Sequence, residues 1–231
     1  EDGFTQGLVV KNKQGEEEII RAPSVVLASG GFGHDLSEDS LLFKNRPDLK
    51  GFPTTLGNWT TGDGLRMLVD AGGYTVDMDK VQLHPTGFVD PAHPKDRTKT
   101  LCAEVMRGSG GIMFNGKMER FVDELGTRQH VVDKMLANKG PFIVILNEDS
   151  GNVVNRHTSL YSRKGLLKKV EGGVKELAML LGIPKEKLVN ELKKYQTAAK
   201  NKKDEFGKTN FINGEVLDLS DHAIWWVGEV T

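Results

Sequence analysis

Gln82-Leu83-His84-Pro85-Thr86-Gly87, Ala103-Glu104-Val105-Met106-Arg107-Gly108-Ser109-Gly110-Gly111-Ile112 and Phe121-Val122-Asp123-Glu124-Leu125-Gly126-Thr127-Arg128 follow one another between positions 82 and 128. These three segments set one histidine (His84), one glutamate (Glu104) and two arginines (Arg107 and Arg128) among a run of glycines. Arginine offers a planar fork of N–H donors that takes a carboxylate at two points. Histidine adds one more hydrogen bond, and a neighbouring glutamate can exchange protons. Together these are the groups needed to hold a small dicarboxylate and hand it a proton.

Upstream, Ser24-Val25-Val26-Leu27-Ala28 reads as an apolar, β-branched run stopped by Ser29-Gly30-Gly31-Phe32-Gly33. That is the pattern of a strand buried on both faces, and ligands of open α/β sheets gather at the carboxyl ends of such strands. Before it, residues 5–10 and 17–21 read as short strands around a Lys13-Gln14-Gly15 turn. Thr60-Thr61-Gly62-Asp63-Gly64 precedes a helix carrying Leu65, Met67, Leu68 and Ala71, with Gly72-Gly73 as its stop. Either Asp63 or Thr61 caps this helix, or its amino terminus turns free N–H groups toward a phosphate.

Downstream, Ile112–Lys117 reads as a strand entering a hairpin, with Arg120-Phe121-Val122 returning. Thr127 opens a helix whose apolar face carries Val131, Met135 and Leu136, closed by Gly140-Pro141, and 142–146 is a further buried strand. Two helices follow, over 173–181 and from Pro184 onward. In the second, Leu188, Leu192, Tyr195 and Ala199 share one face while lysines cover the other. Trp225-Trp226 near the end requires cover, and both chain ends break off inside strand-like patterns, as in a piece of a longer protein.

At 231 residues the chain has 38% hydrophobic and 27% charged residues, an ordinary globular composition. Its net charge of −1 gives no basic field for nucleic acid or anionic lipid. No run reaches the length of a membrane span, so the expectation is a soluble, intracellular protein of the cytoplasm or of an organelle such as a mitochondrion or glycosome-like peroxisome. The lone Cys102 excludes an internal disulfide and reads as a small buried side chain rather than a nucleophile. Glycine numbers 27 where average usage gives roughly 16, and its clustering indicates close backbone approach to ligands.

Five segments in order resemble the flavoprotein subunits of fumarate reductase and succinate dehydrogenase, above all the soluble, NADH-dependent type of fumarate reductase of yeasts and protists. They are Ala28-Ser29-Gly30-Gly31-Phe32, Thr61-Gly62-Asp63-Gly64, His84-Pro85-Thr86, Ala103–Gly110 with Glu104 and Arg107, and Thr127-Arg128. The intervals of 24 residues from Glu104 to Arg128 and 21 from Asp63 to His84 are similar to the family's. Phe206-Gly207 and Phe211-Ile212-Asn213-Gly214 extend the likeness. Ala103 stands where the family often has threonine, and Ser29 replaces another threonine but keeps its hydroxyl.

The resemblance implies an α+β fold: residues 1–79 as the C-terminal part of the first segment of an α/β FAD-binding domain, and 80–231 as a capping (substrate-clamp) domain. It implies FAD, bound mostly by parts of the protein outside this chain, with Asp63 contacting it and Ala28, Ser29, Gly30 and Gly31 packed near. It implies that His84 binds a carboxylate of fumarate or succinate, that Arg128 delivers the proton, and that Glu104 and Arg107 relay protons back to Arg128. No metal is implied. Expected partners are the rest of the flavin domain and an electron donor such as NADH acting through another domain. The family's G-x-G-x-x-G fingerprint is expected before residue 1, and a second substrate histidine and arginine after Thr231, so the isolated piece is expected to be inactive. Succinate dehydrogenase, L-aspartate oxidase or another unsaturated-acid reductase shares these residues. In a different class, the isolated piece is a carboxylate- or protein-binding module without catalysis.

Overall fold

A computed structural model of the chain describes residues 5–231, which fall into two compact units meeting in sequence at Val81 and Gln82. In the first unit, β1 (Gly7–Lys11) and β2 (Glu17–Arg21) form an antiparallel hairpin. The Asn12 carboxamide oxygen organises the turn by accepting from the Gln14 and Glu16 N–H groups at 2.9 and 3.0 Å. Helix α1 (Leu41–Asn45) is capped by Ser40, a 3-10 turn spans Pro47–Leu49, and α2 occupies Asp63–Asp70.

The expected strand over residues 24–28 is not formed: the segment has no regular structure, and Val26 is 89% exposed. A strand covered on both faces needs paired neighbours, and among the described residues none forms a ladder with this one. Helix α2 stands where the sequence placed it and ends at Gly72, whose φ of +91° is a conformation open mainly to glycine. Neither Asp63 nor Thr61 caps it. The cap position is Gly62 at φ +81°, with no side-chain cap bond.

The second unit is built on one antiparallel sheet. Its elements in chain order are β3 (Gly87–Phe88), β4 (Thr100–Leu101), α3 (Glu104–Gly108), β5 (Ile112–Phe114), α4 (Arg128–Leu136), β6 (Phe142–Asn147), α5 (Glu148–Val153), α6 (Asn155–Arg163), β7 (Lys168–Val170), α7 (Gly173–Leu180), α8 (Lys185–Asn201) and β8 (Trp225–Val230). The strand order is β4-β3-β8-β6-β5, and β7 also pairs with β8.

Because side chains alternate across a strand, the two faces of β5, β6 and β8 feed different cores. Ile112, Phe114, Ile143, Ile145, Trp225 and Val227 join Val174, Leu177, Leu188, Leu192 and Tyr195 from α7 and α8. Met113, Val144, Leu146 and Val230 point the other way and join Met106, Val131, Met135 and Tyr161 from α3, α4 and α6. The adjacent tryptophans are thereby covered from opposite sides: Trp225 is fully buried in the first cluster and Trp226 packs on the second.

The expected helices beginning at Thr127, over 173–181 and from 184 onward all form, although the first ends at Leu136, short of the expected stop at Gly140-Pro141. Leu188, Leu192, Tyr195 and Ala199 are at most 1% exposed. Leu136 departs from its expected place on the apolar face of α4 and lies 60% exposed at the last turn. The return over 120–122 is reduced to a single bridge between Phe114 and Arg120, because Asn115 closes the turn by accepting from the Lys117 and Glu119 N–H groups. Helices α5 and α6 had no sequence expectation.

Burial separates two leucines of similar appearance in sequence. Leu192→Ala is expected to lower unfolding free energy by about 2–5 kcal/mol and Leu136→Ala by less than about 0.5 kcal/mol, read from urea denaturation. Equal losses at the two positions contradict this division of faces.

Candidate active site

Two short connections bring the polar residues of the second unit together. The Thr86 hydroxyl donates to the Cys102 carbonyl, and the Cys102 N–H donates to the Thr86 carbonyl, each at 3.0 Å. That pairing sets His84, two residues before Thr86, beside Glu104, two residues after Cys102. Tyr161 Oη then fixes the start of α3 by accepting from the Ala103 N–H (3.1 Å) and donating to the Leu101 carbonyl (3.0 Å). Cys102 is fully buried, and burial pushes its thiol up to about 12, which suits a packing role and not a nucleophile.

After α3 the chain must reverse sharply into β5. Gly110 has φ +107°, and a Cβ on it would strike Ser150 Oγ and the Ile212 carbonyl at 2.5 and 2.6 Å. Helix α4 begins at the N-cap Thr127, whose hydroxyl accepts from the His130 N–H at 3.3 Å. Arg128 is therefore the first residue of α4, and Glu104 is the first of α3.

These two residues meet. An Arg128 guanidinium nitrogen lies 2.7 Å from Glu104 Oε2, and the other terminal nitrogen donates to the Gln82 side-chain carbonyl. Arg107, 2% exposed, stands 3.5 Å from Glu104 Oε1 and donates to the Glu124 carbonyl at 2.6 Å. Glu104 thus lies between two guanidinium groups. The hydrogen bond from Arg128 is the main reason its carboxyl sits below the usual range, with the charges of Arg128, Arg107 and His84 adding to it. Burial depresses Arg107 below the ordinary arginine value, but the group stays charged.

His84 is half-buried in the same field. Burial lowers its pKa below 6.5, and the charges of Arg107 and Arg128 lower it further. Its Nδ1 accepts the Thr86 N–H at 3.3 Å, which leaves the proton of the neutral ring on Nε2. The site therefore offers one neutral donor, the accessible guanidinium of Arg128 and a carboxylate held between it and the buried guanidinium of Arg107.

The expected cofactor residues lie in the first unit. The His34 N–H donates to the Thr60 carbonyl at 3.0 Å, and Arg66 on α2 reaches Asp35 at 3.2 Å, so the 28–35 turn is stitched to the start of α2. A Cβ on Gly64 would collide with the Ser29 hydroxyl, so the two glycine-bearing segments approach at backbone distance. Ala28, Ser29, Gly30 and Gly31 are exposed, and the first-turn N–H groups of α2 have no side-chain cap. Asp63, 77% exposed, is held by Thr61 and Arg66 at 2.9 and 3.1 Å. An exposed turn with two adjacent glycines beside uncapped N–H groups fits the close approach of a nucleotide. Among the described residues, no group of three or more His, Cys, Asp or Glu is placed to hold a metal, and no helix is long and apolar enough to cross a membrane.

Two features were not found by sequence reasoning. Gln82 is one, although it stands two residues from His84. The other is a buried ion cluster in which Arg120 pairs with Glu124 and Asp204 at 3.0 Å each, and Lys208 pairs with Glu124 at 2.8 Å. The i,i+4 spacing of Arg120 and Glu124 was legible, but the partners 84 positions away carry no local signal.

Fold and site describe an α+β protein whose acid–base residues crowd the starts of two short helices. The profile of the FAD binding domain family matches residues 1–218, and the chain belongs to that family. It is 43% identical to a fumarate reductase of Schizosaccharomyces pombe over 89% of this chain and 39% of that protein. It is 34% identical to fumarate reductase 1 of Saccharomyces cerevisiae over 100% of this chain and 49% of that one. The open conformation of a flavocytochrome c3 fumarate reductase superposes with a TM-score of 0.67 at 27% identity, covering 100% of this chain and 38% of that one. The chain thus spans less than half the length of each of these relatives.

Nuclear magnetic resonance of the His84 ring is expected to show the Nε2–H tautomer at pH 7 and a pKa below 6.5. The unfolded chain then binds the His84 proton first as pH falls. The contribution of His84 to stability is full above about pH 6.5 and declines below it. A pKa above 6.5 contradicts these electrostatics.

Proposed function

We propose that this chain is the substrate-protonating portion of a flavin-dependent fumarate reductase that converts fumarate to succinate. Residues 1–79 belong to its FAD-binding domain and 80–231 to a capping domain that clamps the substrate. The observation that carries the reading is the run Arg107–Glu104–Arg128 with His84 in the same electrostatic field. Relatives bearing the name fumarate reductase support the substrate class.

When bound, FAD supplies the hydride for one alkene carbon of the substrate. Within this chain, Asp63 and the 28–31 turn hold the cofactor, and His84 donates its Nε2–H to a substrate carboxylate. Arg128 gives a proton to the carbon that becomes carbanionic. An arginine is a poor acid in water, but a carbanion is basic enough to deprotonate it.

Return of that proton follows from the pairing with Glu104. While Arg128 is charged, its hydrogen bond holds the Glu104 carboxyl low and ionised. Loss of the Arg128 proton removes that hold and raises the proton affinity of Glu104. The Glu104 side chain, 49% exposed, then takes a proton from water and passes it to Arg128 across 2.7 Å. Arg107, fixed at the inner side of Glu104, completes the relay as its second cation.

The rest of the flavin domain and a reduced donor such as NADH, acting through another domain, complete the enzyme. The single cysteine fits a reducing compartment inside the cell.

In the flavin-loaded enzyme containing this chain, Arg128→Ala is expected to abolish fumarate reduction while FAD remains bound. Arg128→Lys is also expected to fail, because an ammonium cannot reproduce the two-point fork. His84→Ala is expected to weaken fumarate binding by about 1–3 kcal/mol. Turnover near the parent level by either Arg128 variant at neutral pH contradicts the assignment.

A further inference from the structure

The relay has an anchor on its inner side that takes no part in the proton transfers themselves. The Glu124 carbonyl accepts from Arg107 at 2.6 Å, so the position of this one backbone oxygen determines where the Arg107 guanidinium lies. Among the described residues Arg107 Nε has no hydrogen-bond partner, which leaves Glu104 and the Glu124 carbonyl to orient the group. The Glu104 contact is long, at 3.5 Å, and the Glu124 contact is short.

Glu124 is itself immobilised by its carboxylate. Oε1 accepts from the Met113 N–H (3.2 Å) and from Arg120 Nε (3.0 Å), while Oε2 accepts from Arg120 (3.0 Å) and Lys208 Nζ (2.8 Å). The residue is 0% exposed. Burial by itself would raise its carboxyl, but Arg120 and Lys208 outweigh burial and hold it ionised.

The cations are held in turn by the irregular segment that follows α8. Asp204 Oδ2 pairs with Arg120 at 3.0 Å, and Asp204 Oδ1 accepts from the Phe206 and Lys208 N–H groups at 2.9 Å each. The Arg120 guanidinium also stacks over Tyr195 and Phe206 at 4.7 and 5.2 Å. Farther along this segment, the Ile212 carbonyl abuts Gly110, and Asn213 Nδ2 donates to Ser150 Oγ at 3.2 Å. One strap over residues 204–214 therefore braces both the turn after Arg107 and the loop before Arg128.

We propose that Glu124 is a positioning residue for proton delivery: the buried Arg120–Glu124–Lys208–Asp204 cluster holds the Glu124 carbonyl against Arg107 and so keeps Glu104 set between its two arginines. The inference rests on the proton relay of the proposed function, and all four cluster side chains are buried.

The test uses Lys208→Met in the flavin-loaded, full-length enzyme carrying this chain, with fumarate as substrate and a reduced viologen dye as donor. The expected result is a kcat per bound flavin lower by about 10–10²-fold with an unchanged KM, because a small misplacement slows chemistry more than binding. The solvent deuterium isotope effect is expected to rise, and hydrogen exchange over residues 103–111 to quicken. A lower Tm with unchanged kcat and isotope effect overturns the proposal. If Lys208→Met does not load flavin, Asp204→Asn, which removes one contact to Arg120, decides by the same two outcomes. Arg128→Ala in the same assay separates the two readings. Turnover there sinks the relay and this inference together, whereas loss there with a parent-like Lys208→Met sinks this inference alone.

Discussion

The pairing of Arg128 with Glu104 requires two short helices to begin within one ion pair's length of each other, although 24 positions separate them in the chain. Neither helix is long enough to be stable by itself. Each start is fixed by a separate device: Tyr161 holds the entry to α3, and the Thr127 hydroxyl caps α4. The antiparallel sheet supplies the floor beneath both, since Met106, Val131 and Met135 pack on the same face as Met113, Val144 and Leu146. The acid–base chemistry proposed for this protein depends on that convergence.

Electrostatics in the site follow from the order of charges. Two arginines on one glutamate leave a local excess of positive charge, and a half-buried imidazole in that field stays neutral. A neutral His84 can donate one hydrogen bond without adding a third cation beside Arg107 and Arg128, which suits the anionic substrate proposed for this site. The buried cluster around Glu124 is organised differently. There Arg120 and Lys208 meet Glu124 and Asp204, with Asp123 3.7 Å from Lys208. Loss of Arg120 would take away the cation that Glu124 and Asp204 share, which costs far more than an exposed pair is worth.

Much of this was legible in the chain. The spacing of Leu188, Leu192, Tyr195 and Ala199, the apolar run of β6 and the Thr127 cap are local signals, and local signals survive in the fold. Residues 24–28 have an equally strong local signal, but a strand exists only with partners, and the described residues provide none. Helices α5 and α6 escaped notice because their serines, asparagines and glycine are poor helix formers. The Asn147 cap and burial of Thr158 and Tyr161 override that propensity. Among site residues, His84, Glu104, Arg107 and Arg128 were found as residue types at recognisable intervals. Gln82 and the Glu124 cluster were not, since an amide and an ion pair across 84 positions look like any surface residues until folding brings them together.

In the proposed relay Glu104 returns the proton to Arg128 between turnovers, so its neutral isostere gives the most direct measurement. In steady-state reduction of fumarate by the flavin-loaded enzyme, with a reduced viologen dye as donor, Glu104→Gln is expected to lower kcat by about 10²–10⁴-fold, the range of acid–base catalysis. The affinity for fumarate is expected to change little. A Glu104→Gln enzyme that turns over at the parent rate would show that Arg128 regains its proton by another route.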